Sequence, residues 1–133
     1  MGLDMYLTGE KFLMPDYQNP GIHPQEDGFR VRSRTLELGY WRKHPNLHGY
    51  IVQTFAGGKD ECQTIDLDPD DIRTIVAAVQ AGNLPCTTGF FFGSSDTSPE
   101  RIAEDIRIFE KALSWLQTEE SSVFRSVIYR ASW

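Results

Sequence analysis

Hydrophobic and polar residues alternate at both ends of the chain, and this period of two predicts strands there. In residues 3–8 the apolar Leu3, Met5 and Leu7 are each followed by a more polar residue. Residues 123–133 alternate in a similar way. Successive side chains of a strand point to opposite faces of a sheet, so we expect one face of each strand to enter the core.

A further strand is predicted over residues 29–38, where the alternation carries charge. The period places Arg30, Arg32 and Arg34 on one face, opposite Phe29 and Val31. Like charges in a row repel each other. This face is therefore expected to meet solvent, acidic side chains or an anionic ligand.

Three segments repeat apolar residues at helical spacing, and each begins with residues typical of a helix start. The first is predicted to span residues 45–55, and the second ends near Gly82. The predicted starts are Pro45, Asp68-Pro69 and Ser98-Pro99. The second and third helices are expected to contribute to the core Ile72, Val76, Val79, Ile106, Phe109 and Leu113.

The remaining segments complete a single-domain α+β prediction. Short strands are expected at residues 61–67 and 89–93, the latter reading GFFFG, while the proline-rich residues 14–28 form a surface loop. This order of elements predicts a mixed or antiparallel sheet of about five strands, with three helices packed mainly on one face.

Composition narrows the classes of function. The chain has 133 residues, a net charge of −6 and only two cysteines. Such a chain is large enough for one core without disulfides, and its acidic balance argues against a stable nucleic-acid complex. We expect a cytoplasmic protein, because the start has no signal-peptide pattern and no apolar run approaches the length of a membrane span.

Basic and aromatic residues gather in the first third of this acidic chain. Positive charge beside flat rings is the chemistry that holds phosphates and stacks on bases. We therefore predict a ligand-binding site made of Arg30, Arg32, Arg34, Tyr40, Trp41, Arg42, Lys43 and His48. Trp41 is expected to offer an exposed stacking face at the entrance to the first helix. The alternative is that the strand arginines pair with the acids Glu37, Glu61 or Asp66.

Other reactive residues favour structural roles. His44 and His48 have the i, i+4 spacing of zinc ligands, but no acid lies between them, and a third ligand would have to come from elsewhere, such as Cys62 or Asp60. For His48 the alternative is a partly buried, hydrogen-bonded histidine. Cys62 follows two acids that disfavour a thiolate. The serines before the third helix are typical of helix capping. No catalytic residue, metal or cofactor is predicted.

Four sequence motifs resemble a small protein family encoded by bacteriophages and prophages. They are the opening MGLDMYL, the YWRK segment with a histidine five residues after its lysine, the GFFFG segment and the terminal YRASW. The motifs occur in the expected order along nearly the whole chain. The resemblance implies a phage-type accessory protein acting in a bacterial cytoplasm, and it assigns no activity or functional residue.

These observations favour a non-enzymatic protein that binds or sequesters an anionic planar ligand, such as a nucleotide or nucleotide signal, in an anti-defence role. One alternative is an inhibitor that binds a host protein through acidic helices. A second is a small hydrolase or transferase using His48 with a carboxylate, for which no complete catalytic motif is visible. An edge strand rich in aromatic residues also favours a homo-oligomer.

Overall fold

A four-stranded antiparallel sheet with the strand order β4-β1-β6-β5 organises the computed structural model. The structure describes residues 2–19, 21, 23–89 and 92–133. Its strands are β1 (Asp4–Leu13), β2 (Gln25–Glu26), β3 (Phe29–Arg30), β4 (Ser33–Arg42), β5 (Ile65–Leu67) and β6 (Val123–Ser132). The helices are α1 (Pro45–Phe55), α2 (Pro69–Ala81) and α3 (Pro99–Leu116). The predicted α+β class is confirmed.

One face of the sheet is covered by the helices. Leu3, just before β1, and Met5 and Leu7 of β1 are buried there, together with Val127 and Tyr129 of β6. The core also includes Ile51 of α1, Ile72 and Ile75 of α2, and Phe109 of α3. The opposite face has no helix over it in the described part of the chain and displays the alternate residues of each strand. This division into a helix side and an open face positions both candidate sites.

Glycine allows α3 to lie close to the sheet. A Cβ atom at Gly39 of β4 would lie 2.6 Å from Cγ2 of Ile108 and 3.0 Å from the ring of Trp41. Pairing between β1 and β4 also shifts by one residue between Leu7 and Thr8. The shift and the missing side chain together leave room for the Trp41 ring between strand and helix.

The helix boundaries follow their sequence signals. Asp68 and Asp71 form a reciprocal capping box at the start of α2, and Gly82 ends that helix in the left-handed conformation. Ser98 caps α3 by accepting the backbone N–H of Arg101. These are the interactions that satisfy unpaired backbone groups at helix ends. Among the described residues, no helix has the length and apolarity needed to cross a membrane.

The strands depart from the prediction in three places. The strand predicted over residues 29–38 is broken after Arg30, because β3 pairs with β2 in a separate two-stranded sheet. The strand predicted over 61–67 contains only Ile65–Leu67. Gly89 and Phe92 of the GFFFG segment lie outside any strand, while Phe90 and Phe91 fall outside the described residues. The main sheet therefore has four strands rather than about five.

Candidate functional site

The eight residues of the predicted ligand site lie in three separate places. Tyr40 and Arg42 lie on the open face. Trp41 and His48 lie in the core on the helix side. Lys43 follows directly after the end of β4 and has a left-handed backbone conformation with φ of 55°. The other end of the sheet, beside the 14–28 loop, holds Arg30, Arg32 and Arg34.

The strand arginines do not form one charged row. Arg30 donates to the carbonyl oxygen of Leu13 at 2.8 Å, and the carbonyl of Arg32 accepts the N–H of the same residue. Arg34 belongs to β4, in register with Lys11. The break between β3 and β4 prevents a continuous alternation, so Arg30 supports the loop instead of joining Tyr40 and Arg42.

The expectation that Trp41 offers an exposed stacking face is wrong. Its side chain is 1% exposed and stacks on Phe109 with ring centroids 5.4 Å apart. Its Nε1–H donates to Oδ1 of Asp105 at 2.8 Å. Trp41 alternates with Tyr40 along β4, so when one ring faces solvent the other must enter the core. Residues 40 and 41 lie within the strand and not at a helix entrance.

On the open face, Tyr6 and Tyr40 form an exposed pair of rings. The two residues are cross-strand partners, their centroids are 5.3 Å apart, and the side chains are 38% and 42% exposed. Asp4 accepts the Tyr40 hydroxyl at 2.5 Å and contacts Arg42 at 3.4 Å. The hydrogen bond to Asp4 raises the pKa of Tyr40, because ionisation would place two negative charges side by side.

A shallow depression extends from Tyr6 across the open face. It has a volume of about 590 Å³ and is lined by Tyr6, Thr8, Ile128 and Arg130, among others. Arg130 is paired in register with Tyr6 on the side away from Tyr40. No carboxylate of the described residues lies within salt-bridge distance of Arg130. The ring pair is thus flanked by a guanidinium on each side.

The helix side contains a buried network around Asp105 of α3, which is 1% exposed. Its Oδ2 lies 2.7 Å from Nε2 of His44, and its Oδ1 lies 3.2 Å from Nε of Arg101. The other nitrogen of His44, Nδ1, lies 2.8 Å from Oγ of Ser95. The Nε1–H of Trp41 also donates to Oδ1 of Asp105. A serine, a histidine and an aspartate are therefore linked in series.

A second histidine, one turn along α1, is also held on both ring nitrogens. Nδ1 of His48 lies 2.5 Å from the hydroxyl of Tyr129, and Nε2 lies 2.8 Å from Oδ2 of Asp60. The rings of Phe92 and Trp133 pack against it. Burial, and secondarily the charge of Asp60, raises the pKa of Tyr129. The alternative interpretation of His48 as a buried, hydrogen-bonded histidine is confirmed.

The described parts of the segment between α2 and α3, residues 83–89 and 92–98, contact α1. Asn46 links them twice, because its side-chain oxygen accepts the N–H of Thr87 and its own N–H donates to Ser95 Oγ. A Cβ atom at Gly49 would lie 2.0 Å from Oγ1 of Thr87, so glycine is required for this approach. The segment thereby brings Ser95 to His44 and Phe92 to His48.

Of the partners of the two histidines, only Asp60 was named from the sequence, as a possible further metal ligand. One signal for Asp105 was present, since an acid at this position interrupts the apolar stripe that runs from Ile102 to Phe109. Ser95 and Tyr129 gave none, because only the tertiary fold brings them to α1. Tyr6 was predictable as the ring facing away from Leu3, Met5 and Leu7.

Within the described ranges, no three His, Cys, Asp or Glu side chains are grouped to hold a metal ion. His44 and His48 instead bind different carboxylates. Comparison of the chain with protein-family models, curated proteins and solved structures found no match. The phage-family resemblance therefore stays a prediction, and the function is inferred from the geometry of the two sites.

Proposed function

We propose that this protein binds a planar anionic ligand, such as a nucleotide or nucleotide signal, on the open face of its sheet. The exposed ring pair of Tyr6 and Tyr40 carries the proposal. Aromatic side chains on an open antiparallel sheet are a known means of stacking bases, and each base–aromatic stack is worth about 1–3 kcal/mol.

The ring pair is held by contacts within the protein. Tyr6 and Tyr40 stand on neighbouring hydrogen-bonded strands, and the hydroxyl of Tyr40 is fixed by Asp4. A side chain that is already held in place loses less rotational freedom on binding. The depression beside Tyr6, at about 590 Å³, lies within the usual range of small-molecule sites.

Charge on the face favours one orientation of the ligand. Arg130 flanks Tyr6 and is exposed, so its guanidinium is available for bidentate bonds to a phosphate. Glu10 lines the same depression at its other end, and Asp66 of β5 is also exposed. These acids repel an anion. We therefore place the base over the tyrosines and the phosphate against Arg130.

The direct test is a thermal-shift panel of mononucleotides, dinucleotides and cyclic dinucleotides, followed by calorimetry. A ligand that binds only the folded state raises the melting temperature. Tyr6→Ala is expected to weaken binding about tenfold or more, the loss of one stack. Arg130→Gln is expected to weaken binding and to flatten its salt dependence, because a charge contact is screened by salt.

Phe124→Ala is the matched control. Phe124 is an exposed ring on the same face, 59% exposed, but it lies at the far end of β6 from Tyr6. Its removal should leave ligand affinity unchanged. Absence of any thermal shift at millimolar nucleotide, or equal losses for Tyr6→Ala and Phe124→Ala, would exclude the proposed site.

A further inference from the structure

The helix side carries an inference that is independent of the open-face proposal. We propose that Ser95 is the nucleophile of an acyl-transfer site, with His44 as its general base and Asp105 as the residue that positions the imidazole. The substrate class is an ester of a short-chain carboxylic acid. The direction of the hydrogen bonds, the environment of Ser95 and the adjacent cavity support this assignment.

The donors around Asp105 determine where the proton of His44 lies. Trp41 and Arg101 can only donate hydrogen bonds, so the carboxyl oxygens of Asp105 act as acceptors. Nε2 of His44, 2.7 Å from Oδ2, therefore carries the proton of the neutral imidazole. Nδ1 is left with a lone pair that accepts the hydroxyl proton of Ser95 at 2.8 Å. This is the tautomer that a general base requires.

The same order of groups activates serine in serine proteases, where Nε2 faces the serine and Nδ1 faces the aspartate. In this protein the two nitrogens exchange places. The chemistry requires that the basic nitrogen face the hydroxyl and that the other nitrogen be held by a carboxylate. Both distances are within hydrogen-bond range, so the exchange preserves these roles.

The surroundings of Ser95 favour negative charge on its oxygen. Oγ accepts the backbone N–H of Asn46 at 3.0 Å, in the first turn of α1. No side-chain cap is provided by His44 at this helix start. The positive end of the helix dipole thus points at the oxygen that gives up its proton to His44 as attack begins. Ser95 is only half-buried, so a substrate can reach it.

A cavity of about 140 Å³ adjoins the base. His44 and Asp105 contribute to its wall, and Val79, Leu84 and Ile102 make much of it apolar. A dry protein cavity of about 150 Å³ accommodates a benzene molecule. The volume is that of an acyl group of a few carbon atoms, so a longer chain would extend beyond it.

The proposed reaction balances without any cofactor. Oγ of Ser95 attacks the ester carbonyl carbon while its proton passes to Nδ1 of His44. The tetrahedral intermediate collapses, the bond to the alcohol oxygen breaks, and His44 returns the proton to the departing alcohol. Water then attacks the acyl-serine with His44 again accepting a proton. Release of the carboxylic acid restores the Ser95 hydroxyl.

Helix capping alone explains part of this arrangement. A capping serine needs only to accept the N–H of Asn46. Capping does not require that the serine hydroxyl also donate its proton to a buried imidazole. A structural serine would therefore react no faster than any exposed serine. This difference in reactivity separates the two roles.

The test is covalent labelling of the wild-type protein with diisopropyl fluorophosphate. Attack by Oγ forms an oxygen–phosphorus bond and expels fluoride, while His44 accepts the proton. We expect a single adduct in the intact mass, located on Ser95 by peptide mapping. The labelling rate should fall on acidification, because a protonated imidazole cannot accept the hydroxyl proton.

Variants assign the roles. His44→Gln should slow labelling at least 100-fold, the lower bound of typical general-base contributions. Asp105→Asn should remove the pH dependence of labelling, since its amide N–H₂ turns the imidazole to the wrong tautomer. Ser94→Ala is the matched control, because Ser94 is the neighbouring serine and is exposed, and the variant should label at the wild-type rate.

Hydrolysis of 4-nitrophenyl acetate and of its octanoate ester tests the cavity. The acetate should give a burst of nitrophenol followed by turnover, and the octanoate should react at least tenfold more slowly. An unlabelled wild-type protein at millimolar fluorophosphate would overturn the proposal, even where a variant fails to fold. Labelling on Ser94 or on exposed tyrosines at the same rate as on Ser95 would overturn it as well.

Discussion

Two carboxylates, one on each side of the sheet, make nearly the same contacts in opposite surroundings. Asp4 on the open face accepts from Tyr40 and contacts Arg42, whereas Asp105 on the helix side accepts from Trp41 and contacts Arg101. Their aromatic partners are consecutive residues of β4. The difference is exposure, because the Asp105 side chain is 2% exposed while the Asp4 side chain is 24% exposed.

This comparison indicates which kind of function each side can support. In water, an ion pair and its hydrogen bonds are screened and exchange readily with solvent, so the open face can give up contacts to a ligand. In the core, an unpaired charge is costly and each partner is held in one geometry. A binding surface benefits from the first condition, and a chain of proton transfers requires the second.

The largest difference in stability between the two sides is expected on removal of the buried carboxylate of Asp105. Asp105→Ala leaves the donors of Trp41, His44 and Arg101 without their acceptor, so we expect a loss of about 3–5 kcal/mol in the free energy of unfolding. Urea denaturation measures it. Asp66→Ala, at an exposed carboxylate on the open face, should stay within about 0.5 kcal/mol. Equal effects of the two substitutions would show that Asp105 is not a buried acceptor.

The next largest loss of stability is expected where Gly49 of α1 contacts Thr87. An alanine at position 49 would bring its Cβ to 2.0 Å from Oγ1 of Thr87. Alanine favours a helix interior over glycine by up to about 1 kcal/mol, but the clash should outweigh this gain and destabilise by about 1–3 kcal/mol.

Thr87→Ala removes the closest atom of that clash. The double variant is therefore expected to recover part of the stability lost in Gly49→Ala, as measured by the coupling energy of a double-mutant cycle. A Gly49→Ala protein more stable than wild type would contradict the packing of the segment around Thr87 on α1. Fluorophosphate labelling of Ser95 should slow in Gly49→Ala, since the segment also carries the serine to His44.

Interactions between residues close together along the chain were predicted from the sequence, whereas those between distant residues were not. The helix starts were predicted well, because Asp68 and Ser98 act on backbone groups three residues away. Alternation also placed Tyr6 opposite Leu7. The helix-side network joins residues 41, 44, 95 and 105, and no local pattern encodes such a meeting. Trp41 was misplaced because a basic neighbourhood suggested a surface, whereas the strand's period sets the direction of the ring.

The pH dependence of the free energy of unfolding tests the network of His48, Tyr129 and Asp60. Below the ordinary tyrosine pKa of about 10, Tyr129 is protonated in both the folded and unfolded chain. Above it, the unfolded chain releases the proton while the fold retains it, because the pKa of Tyr129 is raised in the fold. The unfolded state then binds fewer protons, so stability falls as the pH rises.

Tyr129→Phe removes this titration and isolates it from other groups. Relative to the variant, the wild-type protein should lose up to about 1.4 kcal/mol per pH unit above pH 10, measured by urea unfolding. At neutral pH the wild-type protein should be more stable by about 1 kcal/mol, the worth of the bond to His48. A constant difference between the two proteins from pH 7 to 11.5 would mean that Tyr129 ionises normally in the fold.

The smallest effect is expected at Asp4, where the exposed member of the carboxylate pair can be neutralised. Asp4→Asn keeps the shape of the side chain but replaces the carboxylate, whose hydrogen bond from the Tyr40 hydroxyl, together with its charge, raises the pKa of Tyr40. We expect the pKa of Tyr40 to return toward its ordinary value, as followed by NMR titration of its ring, with little change in melting temperature. Arg42 keeps its other interactions, so the strand pairing should persist. If Asp4→Asn destabilised the fold as strongly as Asp105→Ala, exposure would not be what separates the two sides of the sheet. The open face would then be part of the folding core, and Tyr6 and Tyr40 would not be available to a ligand.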